Sequence, residues 1–142
     1  MDYLEAFAMS AAGMRVERTR VEVSAMNLAR AHVAQVAGPS AFQPMRVVAT
    51  AAPGFGALVD EGSEAIARPV ATLERSGAPA RRVLDPGHPL ADERGFVAYP
   101  GVDAAAEMVT LLDATRAYEA NVAAFNTARA LALKTLEIGR TP

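Results

Sequence analysis

Leu4-Phe7-Ala11-Met14-Arg18-Val21-Ala25-Leu28 near the start of the chain and Ala104-Met108-Leu111-Thr115-Tyr118-Val122-Phe125-Arg129-Ala132-Leu136 near its end are two mostly apolar rows. Successive members are alternately three and four residues apart, the heptad spacing of a coiled-coil seam. Two isolated helices of this kind would leave much of their apolar surface wet. A chain of 142 residues carrying both therefore reads as one completed by neighbours, which points to assembly rather than catalysis.

Proline and glycine divide the chain around these rows. No proline precedes Pro39, eight lie from Pro39 to Pro100, and the last is Pro142; eight of the ten glycines fall from Gly38 to Gly101. Both residues punctuate helices. The division predicts a mainly α fold: an N-terminal helical segment over 1–37, a β or irregular middle over 38–101 and a C-terminal helical segment over 102–142. The two helices pair in coiled-coil fashion. The first is predicted over Asp2–Ala31, capped by Asp2 with Glu5 at capping-box spacing, and about 45 Å long. Gly13 is a candidate kink, and Val33–Gly38 reads as a fraying end. Asp103 is the predicted cap of the second helix, with Glu107 in the first turn where the helix dipole favours acid. Gly139 is its predicted stop. In the middle, Arg46–Ala51, Ala57–Asp60 and Val70–Arg75 read as strands, the first two joined by a turn at Pro53-Gly54-Phe55-Gly56. Val83–Leu84 and Phe96–Ala98 add short extended pieces.

Composition narrows the function. Apolar residues make up 51% of the chain, too many for disorder of the polar kind. A net charge of −2 and basic residues that never cluster beyond Arg81-Arg82 give no electrostatic case for nucleic acid. Thirteen of the fourteen basic residues are arginine, which reads as genome composition. With no cysteine, disulfides, thiolate nucleophiles and cysteine zinc sites are excluded. No apolar run approaches the length of a membrane span. Met1-Asp2-Tyr3-Leu4-Glu5 carries acid where a secretory leader needs base, so export, if it occurs, is expected by another route.

Candidate chemistry is thin. Asp85-Pro86-Gly87-His88-Pro89, with Asp92 and Glu93 beyond, has a metal-site flavour, but Asp before Pro-Gly is ordinary turn chemistry. Gly54-Phe55-Gly56 lacks the third glycine and the helix of a phosphate loop. His32 reads as a solvated or interface residue, and no serine elbow is present. On the residues alone, a soluble helical adaptor and a small metal enzyme using Asp85, His88 and Asp92 stay open beside the assembly reading. The expectation is no catalytic residue, no cofactor and no metal.

Three stretches resemble a known family. Ser24-Ala25-Met26-Asn27-Leu28-Ala29 is similar to an N-terminal signature, and Thr115-Arg116-Ala117-Tyr118-Glu119-Ala120-Asn121-Val122 with Lys134-Thr135-Leu136-Glu137-Ile138-Gly139 to a C-terminal helix, of the bacterial flagellar rod, hook and hook-junction proteins. Asp85-Pro86-Gly87-His88-Pro89 with Gly95-Phe96-Val97 resembles a stretch of the family's small proximal-rod members. The chain departs from the family pattern at Leu84, Asp103 and Arg30, where Tyr, Asn and a second Asn are usual. The resemblance implies a structural rod subunit in the periplasmic part of the basal body, without enzymatic activity. It implies export by the flagellar type III apparatus without a cleavable signal, and partners among copies of itself and neighbouring rod proteins. Within it, Leu4, Phe7, Met14, Val21, Asn27, Leu28, Met108, Leu111, Tyr118, Asn121, Val122, Phe125 and Leu136 are the expected assembly interface. Asn27 and Asn121 are its polar register contacts, and Arg18 and Arg129 are candidates for contacts between subunits.

Overall fold

The computed structural model describes residues 3–36, 38, 41–52 and 67–138. Two long helices flank four short strands: α1 (Tyr3–Arg30), β1 (Met45–Ala52), β2 (Arg68–Arg75), β3 (Arg81–Leu84), β4 (Phe96–Tyr99) and α2 (Ala104–Ile138). The mainly α class and the expected order of helix, broken middle and helix are both present. The predicted cap at Asp2, the stop at Gly139, the turn at Pro53–Gly56 and the strand at Ala57–Asp60 lie outside the described residues.

α1 runs unbroken through Gly13; the glycine makes room for a neighbour instead of a kink. The helix closes with Ala31 N–H donating to Leu28 O and Val33 N–H to Arg30 O. The next residues are pinned, contrary to the expected fray. Gln35 N–H donates to Ala98 O at 2.9 Å. Its side-chain amide donates to Phe42 O and accepts from Phe42 N–H at 2.8 Å. A short polar side chain that can serve both backbone groups of one residue costs the loop no unsatisfied amide.

α2 starts where Asp103 predicts. Its carboxylate accepts from the N–H groups of Ala105 at 3.0 Å and Ala106 at 3.2 Å, answering two of the donors every helix start leaves orphaned. Glu107 stands in the first turn. Just upstream, a Cβ on Gly101 would run into the carbonyl oxygen of Pro79, so only glycine fits.

β3 and β4 form an antiparallel pair from Arg81↔Tyr99 to Leu84↔Phe96. β1 pairs with β2 in a second two-stranded sheet, so the strand found beside β1 is the third of those expected. Ser76 N–H donates to Pro44 O at 2.8 Å, and Arg46 meets Glu74 at 2.9 Å. Those two contacts show the strands running in opposite directions; the ion pair is solvent-exposed and adds little energy.

Packing divides the chain into two compact units, each taking part of both helices. One gathers Met1–Thr19, Val48–Thr72 and Ala114–Pro142, the other Arg20–Val47 and Leu73–Asp113. In the first, Ser10, Ala12, Val16 and Ala114 are buried; in the second, Val23, Ser24, Asn27, Ala31, Val97 and Ala98 are. Replacing Asp103 with Ala should cost about 1 kcal/mol, read as a lower denaturation midpoint with the helical signal of α2 reduced. An unchanged midpoint would show that the cap contributes nothing.

Candidate assembly site

The residues that pack inside the chain are smaller than the heptad rows suggest. Within the first unit, Phe7 and Phe125 stack with ring centroids 4.9 Å apart, tilted by 47°. One and a half turns along α1, a Cβ on Gly13 would stand 2.6 Å from Asn121 Oδ1. Asn121 cannot swing clear without loss, because its amide donates to Ala117 O at 2.9 Å. As residue numbers rise on α1 they fall on α2, so the helices run antiparallel there. Glycine and alanine let backbones approach closely, and the larger apolar side chains are turned outward.

Two rows on α1 make the point. Ala12, Val16, Val23 and Asn27 are buried. The expected row of Phe7, Met14, Val21 and Leu28 is half-buried, and Leu4 is 76% exposed. At 3.6 residues per turn these rows occupy different faces. α1 therefore has two apolar faces, of which the chain covers one more completely. On α2 the packed row runs Glu107, Leu111, Ala114, Ala117, Asn121, Phe125, Ala128 and Ala132, with Ala114 alone buried among the described residues. It coincides with the expected row at Leu111, Phe125 and Ala132 and sits one position away elsewhere. Val122 is half-buried, while Met108, Tyr118 and Leu136 are exposed. So are Val109, Leu112, Leu131, Leu133 and Ile138. Arg18 and Arg129 are exposed as well.

Asn27 is the polar centre of the second unit, 1% exposed. Its amide donates to Met45 O and to Glu107 Oε1, both at 2.7 Å, and its oxygen accepts from Met45 N–H at 3.1 Å. One side chain thus ties the last turns of α1 to the start of β1 and to the first turn of α2. Among the described residues no buried side-chain nitrogen or oxygen lacks a partner.

The segment from Asp85 to Gly95 is a closed loop joining β3 to β4. Asp85 N–H donates to Gly95 O, Gly95 N–H to Asp92 O and Asp92 N–H to Phe96 O. Gly95 takes φ +78° with Pro86 against it, a conformation that suits glycine. The Asp92 carboxylate accepts from the N–H groups of Phe96 at 2.8 Å and Arg94 at 2.9 Å. The Phe96 bond above all, then Arg94 N–H and the charges of Arg82 and Arg94, hold its carboxyl below the usual carboxylate value against an opposing desolvation. Among the described residues no three His, Cys, Asp or Glu side chains converge as a metal site, and none of their helices is long and apolar enough to cross a membrane. The loop is built as a turn, and Asp85, His88 and Asp92 serve it as turn residues. His32 lies exposed.

Comparison with known proteins places this architecture. Residues 93–138 match the family model described as flagellar basal body rod FlgEFG protein C-terminal. The flagellar basal-body rod protein FlgC of Yersinia enterocolitica is 38% identical over 140 residues, covering 99% of this chain and 100% of the relative. The chain belongs to the flagellar basal-body rod protein FlgC family. The FlgC of Salmonella typhimurium is 36% identical over 99% of this chain and all of its own length. That of Bacillus subtilis is 31% identical over 93% and 95% respectively. The match extends well beyond the C-terminal region that the FlgEFG description names. Membership makes the chain a structural subunit of the bacterial flagellar basal-body rod. Reasoning from the sequence missed Gly13, Ala114 and Gln35 as packing residues. A glycine and alanines facing each other at helical spacing were the available signal for the first two.

Asn27→Ala should destabilise the protein by roughly 2–3 kcal/mol, because Met45 and Glu107 lose their partner inside the fold. Asn27→Asp should be at least as costly, since it sets a carboxylate against Glu107 and the Met45 carbonyl. Chemical denaturation checks both, and an Asp variant as stable as the original would contradict the hydrogen-bond assignment. Asp92 supplies a pH signature. A carboxyl whose folded value is depressed stabilises the fold above its ordinary titration range, and that stability is lost as pH falls through the folded value. The loop should therefore loosen only below about pH 4 on Asp92's account. Asp92→Asn should flatten that acid limb, measured by amide NMR of Arg94 and Phe96.

Proposed function

We propose that the chain builds the rod by polymerising through its terminal segments, 1–37 and 102–142, with 38–101 as an outlying middle. The observation that carries this is the surface of α2. Large apolar side chains ordinarily belong in an interior, yet Ala114 is the single buried residue of α2 among those described, and Leu112 and Leu133 are 55% and 51% exposed. Exposed large apolar side chains in this number mark an interaction site. The occupants are other copies of the chain and neighbouring rod proteins. They cover Leu4, Met108, Tyr118 and Leu136, and complete the burial of Phe7, Met14, Val21, Leu28, Leu111, Val122 and Phe125.

Contacts between different patches of successive subunits do not close on themselves, and so grow a filament. Packed side chains then resist shear, because sliding one helix past another opens voids at each apolar contact. Torque is transmitted by that resistance, and the protein acts mechanically, without enzymatic chemistry, cofactor or metal. Asn27 and Asn121 keep the intrachain register that the assembled layer needs. The subunit reaches the periplasmic rod through the flagellar type III export apparatus.

Leu112→Glu and Leu133→Glu test the reading. Both positions are exposed in the isolated chain, so the variants should keep its fold and export. Each should reduce swimming in soft agar severely, and the double variant should abolish it, with electron microscopy showing basal bodies whose rods are incomplete. Normal swimming and intact rods in the double variant would overturn the proposal. That outcome fits a helical adaptor whose apolar surface needs no neighbour.

A further inference from the structure

The first half of the β3–β4 loop turns on one imidazole. His88 N–H donates to Asp85 O at 3.2 Å and Ala91 N–H donates to His88 O at 3.0 Å. Leu90 N–H donates to His88 Nδ1 at 3.0 Å. A backbone amide can only donate, so Nδ1 must present its lone pair and the ring proton must sit on Nε2. The bonding pattern therefore fixes the tautomer. Pro89 has no N–H, so Leu90 carries the first amide after His88 that the ring can accept from. An imidazolium carries N–H at both nitrogens and would set a donor against the Leu90 amide.

We propose that His88 is a pH-responsive staple: the neutral ring holds residues 88–91 closed, and protonation releases them. Histidine is the side chain whose charge ordinarily changes between about pH 5 and 8. The charged groups of the hairpin are mixed in sign, with Asp85, Asp92, Glu93 and Arg94 in the loop and Arg81 and Arg82 on β3. Gln35, bridged to the other side of β4, is uncharged. Release has a structural consequence, since Pro89, Leu90 and Ala91 line a cleft of about 260 Å³ together with Val36 and Phe96. Gln35, Arg82, Asp92 and Ala98 complete its lining, so acid reshapes a surface cleft of mixed character. The second half of the loop does not follow. It is closed by Asp92, whose carboxyl is held below the usual carboxylate value, so this half stays shut in the range where a histidine ordinarily changes charge. The staple rests on the loop alone and stands or falls apart from the rod reading.

Nitrogen-15 NMR of the full chain tests it. At pH 7.5 the His88 ring should show an unprotonated, hydrogen-bonded Nδ1. Between pH 7.5 and pH 5 the Leu90 and Ala91 amides should shift together with the ring. Exchange of the Leu90 amide, corrected for its intrinsic pH dependence, should rise roughly fivefold, as the loss of one modest hydrogen bond implies. The Arg94 and Phe96 amides should hold their positions. In His88→Asn the side-chain oxygen can accept the amide two residues on, and it does not titrate. That variant should keep the loop and lose the acid response. A proton on Nδ1 at pH 7.5, a Leu90 amide indifferent to the ring, or an undiminished acid response in His88→Asn would each overturn the proposal.

Discussion

A buried amide that serves three groups sets the terms for the second unit. Asn27 uses both donors and its oxygen on Met45 and Glu107, so the end of α1, the start of β1 and the first turn of α2 have one mutual arrangement that leaves nothing unpaired. Buried polar networks behave nearly all-or-none: satisfied they specify a structure, and half-satisfied they cost more than an apolar core. The rest of that unit follows from holding those three points. Glu107 can reach Asn27 because Asp103 starts the helix where it does. Gly101 lets the preceding chain pass against Pro79. Gln35 then secures the chain leaving α1 to β4 and to Phe42.

In the first unit, close approach does the corresponding work. Gly13 against Asn121 leaves no space for a methyl group, and the aromatic pair Phe7–Phe125 fills the gap toward the start of α1. Helices that meet through glycine and alanine gain dense contact from small side chains. The consequence falls on the other faces, where the large apolar residues of α2 are left. A monomer designed for stability alone would reverse this arrangement and put Leu131 and Leu133 inside. Their outward placement is intelligible as the stickier half of a contact made with other molecules.

Much of this is legible in the sequence. Two long helices followed from heptad spacing and from the distribution of proline, and Asp103 was recognisable as a cap because its position satisfies orphan amides. The face of α1 that packs within the chain was not readable in the same way. Both of its rows have helical period, and period cannot rank a row of Leu, Phe and Met below a row of Ala, Val and Asn. Size was a misleading guide there, since the tightest approach belongs to glycine. Strand pairing was partly hidden for a different reason. β1 lies beside β2 through contacts such as Pro44–Ser76 and Arg46–Glu74, which are distant in sequence, whereas turn signals inform only on adjacent strands. The Asp85–Pro89 turn was evident from its residue types. The tautomer of His88 was not, because it depends on where the Leu90 amide points.

The two kinds of interaction suit different tasks. Hydrogen bonds are directional and fail sharply when misplaced, which makes Asn27, Gln35 and Asp103 good guardians of a single intrachain register. Apolar contact is non-directional and scales with area, so one exposed helix face can be covered by surfaces of differing shape. A rod subunit that assembles with other rod components needs both properties at once. Reversing the assignment would fail on physical grounds. Polar groups on the outer face of α2 would demand a matching partner at every neighbour and would stay hydrated before assembly. A purely apolar interior would leave α1 and α2 with alternative registers that no hydrogen bond tells apart. Asn27 and Asn121 inside, with leucines outside, make the chain strict about its own fold and tolerant about its neighbours.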